Sequence, residues 1–167
     1  RQRGGVIDPG AAHDDAGADQ DRYGKGGHGR KPSHIVDSAR FVAAERPDAR
    51  FLVVGSKALP EAAASHALVA RGVVRHRPKG ANPERWLAAL DLFLYPARFE
   101  EYGLVLAEAQ ALGVPVLTTR VVGASECLPE IYGPWLLERP DPALLAAKAL
   151  SLLQSAALRG ELVAAAA

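Results

Sequence analysis

The chain has 167 residues, 49% of them apolar, enough for one domain with a core of its own and too few for two. With 20 Lys and Arg against 19 Asp and Glu, no overall field draws it to nucleic acid or to an anionic membrane, and any anion site must be local. A single cysteine, Cys127, excludes an internal disulfide and points to a reducing cytoplasm, while no run reaches the roughly 18 apolar residues of a membrane span.

Residues 1–24 read as a loosely packed or disordered arm, because Val6 and Ile7 are the only branched aliphatics before Ser33 and cannot offset the entropy of ordering. Residues 25–167 read as one domain. A helix is expected from Ser33 through Ala44, a strand over Phe51 to Val54, a helix over Pro60 to Ala70 and a strand over Val73 to Arg75. A helix from Asn82 or Pro83 to Leu90, a strand over Leu92 to Tyr95, a helix over Gly103 to Leu112 and a strand over Val114 to Thr118 follow. A weaker strand at Trp135 to Leu137 precedes a last helix from Asp141 or Pro142 to Leu153. No methionine occurs, and the chain runs out in Ala164 to Ala167 without a cap or turn signal, so it reads as a piece of something longer. Strand and helix in regular alternation predict parallel strands joined by right-handed crossovers, an open doubly wound α/β sheet of Rossmann-like type with its strands buried.

Ligands of such sheets bind outside the carboxyl ends of the strands, which directs attention to the loops at 55–59, 77–81, 96–102 and 119–125 and to the basic Gly segment before Ser33. Glu100 falls at the entrance of the Gly103 helix and Glu108 inside it. Since Leu104, Val105, Leu106, Ala107, Ala109, Ala111 and Leu112 make that helix apolar almost all round, it is expected to be buried, and Glu108 to need donors from the protein or a ligand. The first-turn N–H groups of Tyr102, Gly103, Leu104 and Val105 form a candidate phosphate seat, with Gly103 allowing close approach. The two carboxylates are suited to accept from hydroxyls on either side of a diphosphate. The plainer reading makes Glu100 an N-terminal helix charge and Glu108 a core residue satisfied by backbone.

The spacing from Glu100 to Glu108 and Ala109, with the run Gly113-Val114-Pro115-Val116-Leu117-Thr118-Thr119, resembles the signature of glycosyltransferase family 4 and related retaining GT-B enzymes. The resemblance extends through Gly123-Ala124-Ser125-Glu126, similar to a second Gly-rich donor loop, and Asp141-Pro142-Ala143, and upstream through Pro47 to Gly55. It covers residues 25–155 and implies the C-terminal, donor-binding Rossmann-like half of a GT-B enzyme. It further implies a nucleoside diphosphate sugar as donor, Glu100 on the transferred sugar and Glu108 on the ribose. Lys25 and Lys31 are implied as the basic pair on the diphosphate, with Arg30 a rival for either role. No metal or other cofactor is implied. The acceptor, a glycan, lipid or small molecule, would be held by an N-terminal half outside this chain, which could also contact a membrane peripherally; alone, the fragment would bind donor and hardly turn over.

Two departures stand out. Residues 16–23 make a poor buried strand where the family has its first one, and Val122 occupies the place of a loop glycine. A catalytically inactive nucleotide-binding or interaction module, or an unrelated α/β regulatory domain, are the alternatives. Gly24-Lys25-Gly26-Gly27-His28-Gly29 formally matches a dinucleotide fingerprint, but no apolar strand precedes it and Pro32 follows, and the same stretch lacks the Lys-Ser/Thr of a P-loop. His13, Asp14 and Asp15 read as a solvated cluster, and Arg71, Arg75, Arg77 and Lys79 as charged surface without the aromatics of a nucleic-acid site.

Overall fold

The computed structural model describes residues 33–55, 67–78 and 82–166. The arm, the basic segment with Lys25, Arg30 and Lys31, and the start of the Pro60 helix lie outside them.

Helix α1, Ser33–Glu45, is followed by strand β1, Phe51–Gly55, a short helix α2, Ala67–Ala70, and strand β2, Val74–Pro78. Helix α3, Pro83–Leu87, leads to strand β3, Phe93–Tyr95, then helix α4, Leu104–Ala111, and strand β4, Val116–Thr118. A short helix α5, Val122–Glu126, a 3-10 helix over Glu130–Trp135, and helices α6, Pro142–Gln154, and α7, Ala156–Ala165, complete the order. The strands form two parallel pairs. β1 lies beside β2 with Phe51 opposite Val74, and β3 beside β4 with Phe93 opposite Val116.

The pattern explains the packing. Ile35, Val36, Ala39 and Val42 make one stripe of α1, and all are buried, as are Leu145, Ala146, Ala149 and Leu152 of α6, the helix that α1 lies against. Asp141 starts α6 by accepting the N–H groups of Ala143 and Leu144, each at 3.0 Å, and Pro142 sits in the first turn where no donor is missed. β3 and β4 are buried at every position, as parallel strands covered on both sides must be.

The observed elements depart from expectation in four places. β2 is not a buried strand: Val74 is buried, whereas Arg75 and Arg77 are exposed, keeping their charges in water, and Pro78 is exposed at its end. Trp135 to Leu137 is not a strand either. Trp135 closes the 3-10 helix, and Leu137 makes one parallel bridge to Thr119. Val122 to Glu126, expected as loop, is helical, and α7 forms beyond the last expected helix, capped by Ser155 Oγ accepting from Leu158 N–H at 3.2 Å.

Candidate functional site

The carboxyl ends of β3 and β4 are Tyr95 and Thr118, adjacent in register, so the loops that follow them emerge side by side. Two buried hydroxyls stitch these loops together: Thr118 Oγ1 donates to the Tyr95 carbonyl at 2.7 Å, and Thr119 Oγ1 donates to the Ala97 carbonyl. Deeper in, Gly123 N–H donates to the Glu100 carbonyl at 3.0 Å. A Cβ on Gly123 would lie 2.4 Å from the Glu101 carbonyl oxygen, and one on Gly103 2.4 Å from the Gly123 carbonyl oxygen and 2.8 Å from Cys127 Sγ. The two glycines therefore interlock. At the far end, Gln110 Nε2 donates to the Cys127 carbonyl at 3.1 Å, satisfying a group that the end of α5 leaves without a helical partner.

Glu100 is half-buried at the head of α4. Its Oε1 accepts from the N–H of Gly103 at 3.2 Å and, at longer range, of Tyr102 at 3.4 Å, while its Oε2 accepts from the Tyr95 hydroxyl. Gly103 itself takes φ +62°, a left-handed conformation open to glycine, which turns the chain into the helix.

This geometry revises three expectations. The N–H groups of Tyr102 and Gly103 point at the Glu100 carboxylate, and the first turn leaves those of Leu104 and Val105 without a helical acceptor. The space left by Gly103 is not an approach route for ligand, because the Gly123 carbonyl and Cys127 sulfur fill it. Helix α4 is also not buried all round. Leu106 and Ala109 face the core, but Leu104 is 60% and Leu112 40% exposed, and Glu108 is exposed with them. Only one stripe of a helix on a sheet can reach the core, and the outward positions here happen to carry Ala and Leu. The Glu108 carboxylate therefore has no burial to offset and, among the described residues, no hydrogen-bond or ion-pair partner.

Leu104 and Glu108 are one helical turn apart on the same face, and helical side chains lean toward the N-terminus, so the Glu108 carboxylate is directed back toward the Glu100 end. Glu126 is exposed at the end of α5, and Gly123 is buried in the interlock. Lys25, Arg30 and Lys31 lie outside the described residues, so the described part of the candidate site is Glu100, the head of α4, Glu108 and the α5 loop. Phe99, Tyr102, Leu104 and Val122, all exposed, flank these two loops.

Sequence reasoning overlooked Tyr95, Gln110 and Cys127. A signal existed for Tyr95: a buried tyrosine at a strand end needs a partner for its hydroxyl, and Glu100 follows five residues later. Burial pushes the Cys127 thiol above its ordinary value, and the nearby Glu100 charge pushes the same way.

The model of the family described as glycosyl transferases group 1 matches residues 31–155. The chain is 33% identical over 105 residues to a D-inositol 3-phosphate glycosyltransferase of Arthrobacter sp. (strain FB24), covering 58% of this chain and 25% of that protein. It is 35% identical over 111 residues to the lipopolysaccharide core biosynthesis mannosyltransferase LpsB of Rhizobium meliloti (strain 1021), covering 62% of this chain and 32% of that protein. The chain thus spans a quarter to a third of these relatives' length. Among solved structures, 99% of the chain superposes with a TM-score of 0.73 on 83% of the C-terminal domain of a glycosyl transferase group 1 family protein (LpcC) from Francisella tularensis, at 20% identity. It superposes equally well, with a TM-score of 0.73 and 24% identity, on 42% of WaaG, a glycosyltransferase involved in lipopolysaccharide biosynthesis. The parallel strands, the crossover helices and these likenesses make the fold the Rossmann-like α/β fold of GT-B glycosyltransferases. By sequence, across three-quarters of its length, the chain belongs to the glycosyl transferases group 1 family.

Proposed function

We propose that this chain is the donor-binding part of a retaining glycosyltransferase of family 4 type, which moves a sugar from a nucleoside diphosphate sugar to an acceptor hydroxyl. The observation that carries the reading is the clustering of a held carboxylate, Glu100, with the first-turn N–H groups of Leu104 and Val105 and the outward Glu108. The helix head suits a diphosphate, since its N–H groups and the positive end of the macrodipole both favour anions. Glu100 then meets the transferred sugar on one side and Glu108 the ribose on the other, while Lys31, with Lys25 or Arg30, neutralises the diphosphate.

In this reaction the bond from the anomeric carbon to the diphosphate oxygen breaks and one to the acceptor oxygen forms on the same face. The acceptor proton passes to the departing phosphate oxygen, so neither a protein nucleophile nor a metal is required. Gly123 and Glu126 complete the donor pocket from the α5 side. The acceptor belongs to a further domain outside this chain, and the names of the relatives point to polysaccharide, lipopolysaccharide or related glycosides as products. A second reading, a nucleotide-binding module without transferase activity, draws on the protein donors that already engage both oxygens of Glu100.

The test is a titration of the full-length protein with UDP, GDP and ADP, followed by turnover of the matching nucleotide sugars in wild type and Glu100→Gln. Binding of one diphosphate together with a loss of turnover in Glu100→Gln supports the proposal. Binding without turnover in any donor would leave the module reading, and no binding at all would remove both.

A further inference from the structure

We propose that Tyr95 is a positioning residue for the transfer reaction, acting through Glu100; this rests on the donor-binding reading above. A carboxylate at a helix head needs no tyrosine to cap the helix. Here the capping is done by Oε1 alone, which accepts the N–H groups of Tyr102 and Gly103, so the Tyr95 hydroxyl on Oε2 has another consequence. It ties the second oxygen to the end of β3, and the carboxylate plane is fixed by two anchors on two different elements. Removing the Tyr95 hydroxyl takes away the anchor from β3, while the capping contact on Oε1 survives.

The anchor is rigid. Tyr95 is 3% exposed, its ring packs 5.9 Å from that of Phe93 on the same strand face, and its carbonyl accepts from Thr118 Oγ1 at 2.7 Å. Only the tip of the side chain reaches the half-buried carboxylate, where a charge-assisted bond is stronger than one in water. Each carboxylate oxygen has two acceptor directions. Both N–H groups fall on Oε1, and the Tyr95 hydroxyl sets the direction of Oε2.

Tyr95→Phe keeps the ring and removes the bond. In the full-length protein, assayed with UDP-glucose and GDP-mannose as donors, it lowers kcat by about tenfold to a hundredfold, the value of one hydrogen bond to a charged group. Affinity for UDP and GDP stays within about twofold, because the helix head and Glu108 are untouched. The decisive arm is the double variant. If Tyr95 acts through Glu100, Tyr95→Phe has no further effect in a Glu100→Ala background, which leaves no side-chain acceptor for the Tyr95 hydroxyl. A merely structural role would lower the melting temperature and multiply the two losses. Hydrogen exchange adds a readout independent of turnover: the Gly103 amide keeps most of its protection in Tyr95→Phe, since Oε1 remains in place. Multiplicative effects, or an unchanged kcat in Tyr95→Phe where Glu100→Gln is impaired, would overturn the role of Tyr95 and leave the donor reading standing. An unchanged kcat in Glu100→Gln would remove the donor role of Glu100 and Tyr95 with it.

Discussion

Three glycine-to-alanine substitutions separate the two costs that the interlocked loops combine. Gly113 ends α4 at φ +72°, with its N–H bonded to the Gln110 carbonyl and that of Val114 to the Ala109 carbonyl, and an added Cβ would meet nothing closer than Val163 Cγ1 at 3.9 Å. Gly113→Ala therefore carries the left-handed penalty alone, about 1–2 kcal/mol. Gly123 is the converse case. No left-handed backbone constrains it, but its Cβ would lie 2.3 Å from the Glu101 carbonyl carbon and 2.6 Å from the Glu100 carbonyl oxygen. In a helix free of such contacts, alanine would stabilise by about 1 kcal/mol; here overpacking of about 1–3 kcal/mol reverses the sign. Gly103 combines both terms: φ +62° and a Cβ 2.4 Å from the Gly123 carbonyl oxygen. That carbonyl cannot retreat without pulling Gly123 N–H from the Glu100 carbonyl, 3.0 Å away, so Gly103→Ala should cost about 3–5 kcal/mol in all. Urea unfolding followed by the fluorescence of Trp86 and Trp135 measures the series. A Gly103→Ala no more costly than Gly113→Ala would mean that the loops yield freely, and the interlock would not be what holds Glu100 in place.

On the proposed reading, in which Glu108 holds the ribose, Glu108→Gln should weaken binding of the nucleoside diphosphate by about tenfold with little effect on kcat at saturating donor, since such a contact is the same in ground and transition states; calorimetric titration beside initial rates checks it. Burial raises the Asp91 carboxyl above its usual value against the opposing pull of Arg159 and Arg46. A raised folded value means that its contribution is fully present below the unfolded value and is lost as pH rises through the folded one. Asp91→Asn should therefore raise the urea midpoint at pH 7, with the gain gone by about pH 3, below the ordinary carboxylate range. The Cys127 thiol, pushed up by burial, should react with iodoacetamide at pH 8 several-fold more slowly than glutathione, as mass spectrometry over time would reveal.

Much of the fold was legible because parallel strands advertise themselves. Leu92 to Tyr95 and Val114 to Thr118 are short continuous apolar runs, and Asp141-Pro142 and Gly113 mark helix ends by recognised chemistry. What escaped was set by tertiary partners. Val122-Gly123-Ala124-Ser125-Glu126 has neither period nor strong propensity, and its single turn lies against the Glu100 loop, which Gly123 approaches at backbone distance. The outward face of α4 misled for another reason. Hydropathy states which residues can be buried, not how many the neighbouring layer has room for, so Leu104 and Leu112 stayed in water. Glu100 and Glu108 were legible as a pair through their spacing, but not that one would be held by protein and the other left exposed.

That difference bears on how the two carboxylates can act. Glu100 is held by donors from the end of β3 and from the head of α4, so its orientation is settled before any ligand arrives. A group arranged in advance loses little freedom on binding and serves best where charge develops during the reaction, since it need not reorganise as the bond breaks. Glu108 stands on an exposed helix face without such anchors among the described residues, and ordering its side chain in the proposed ribose contact would offset up to about 1.5–2 kcal/mol of what that contact contributes. An unanchored carboxylate can follow a ribose hydroxyl through small differences in pose, which suits affinity for a nucleotide better than precision at a reacting carbon. The fold thus gives the two glutamates unequal support: Glu100 accepts from the Tyr95 hydroxyl and the Gly103 N–H, on loops that the interlocked glycines and the Thr118 and Thr119 hydroxyls hold together, whereas Glu108 stands exposed.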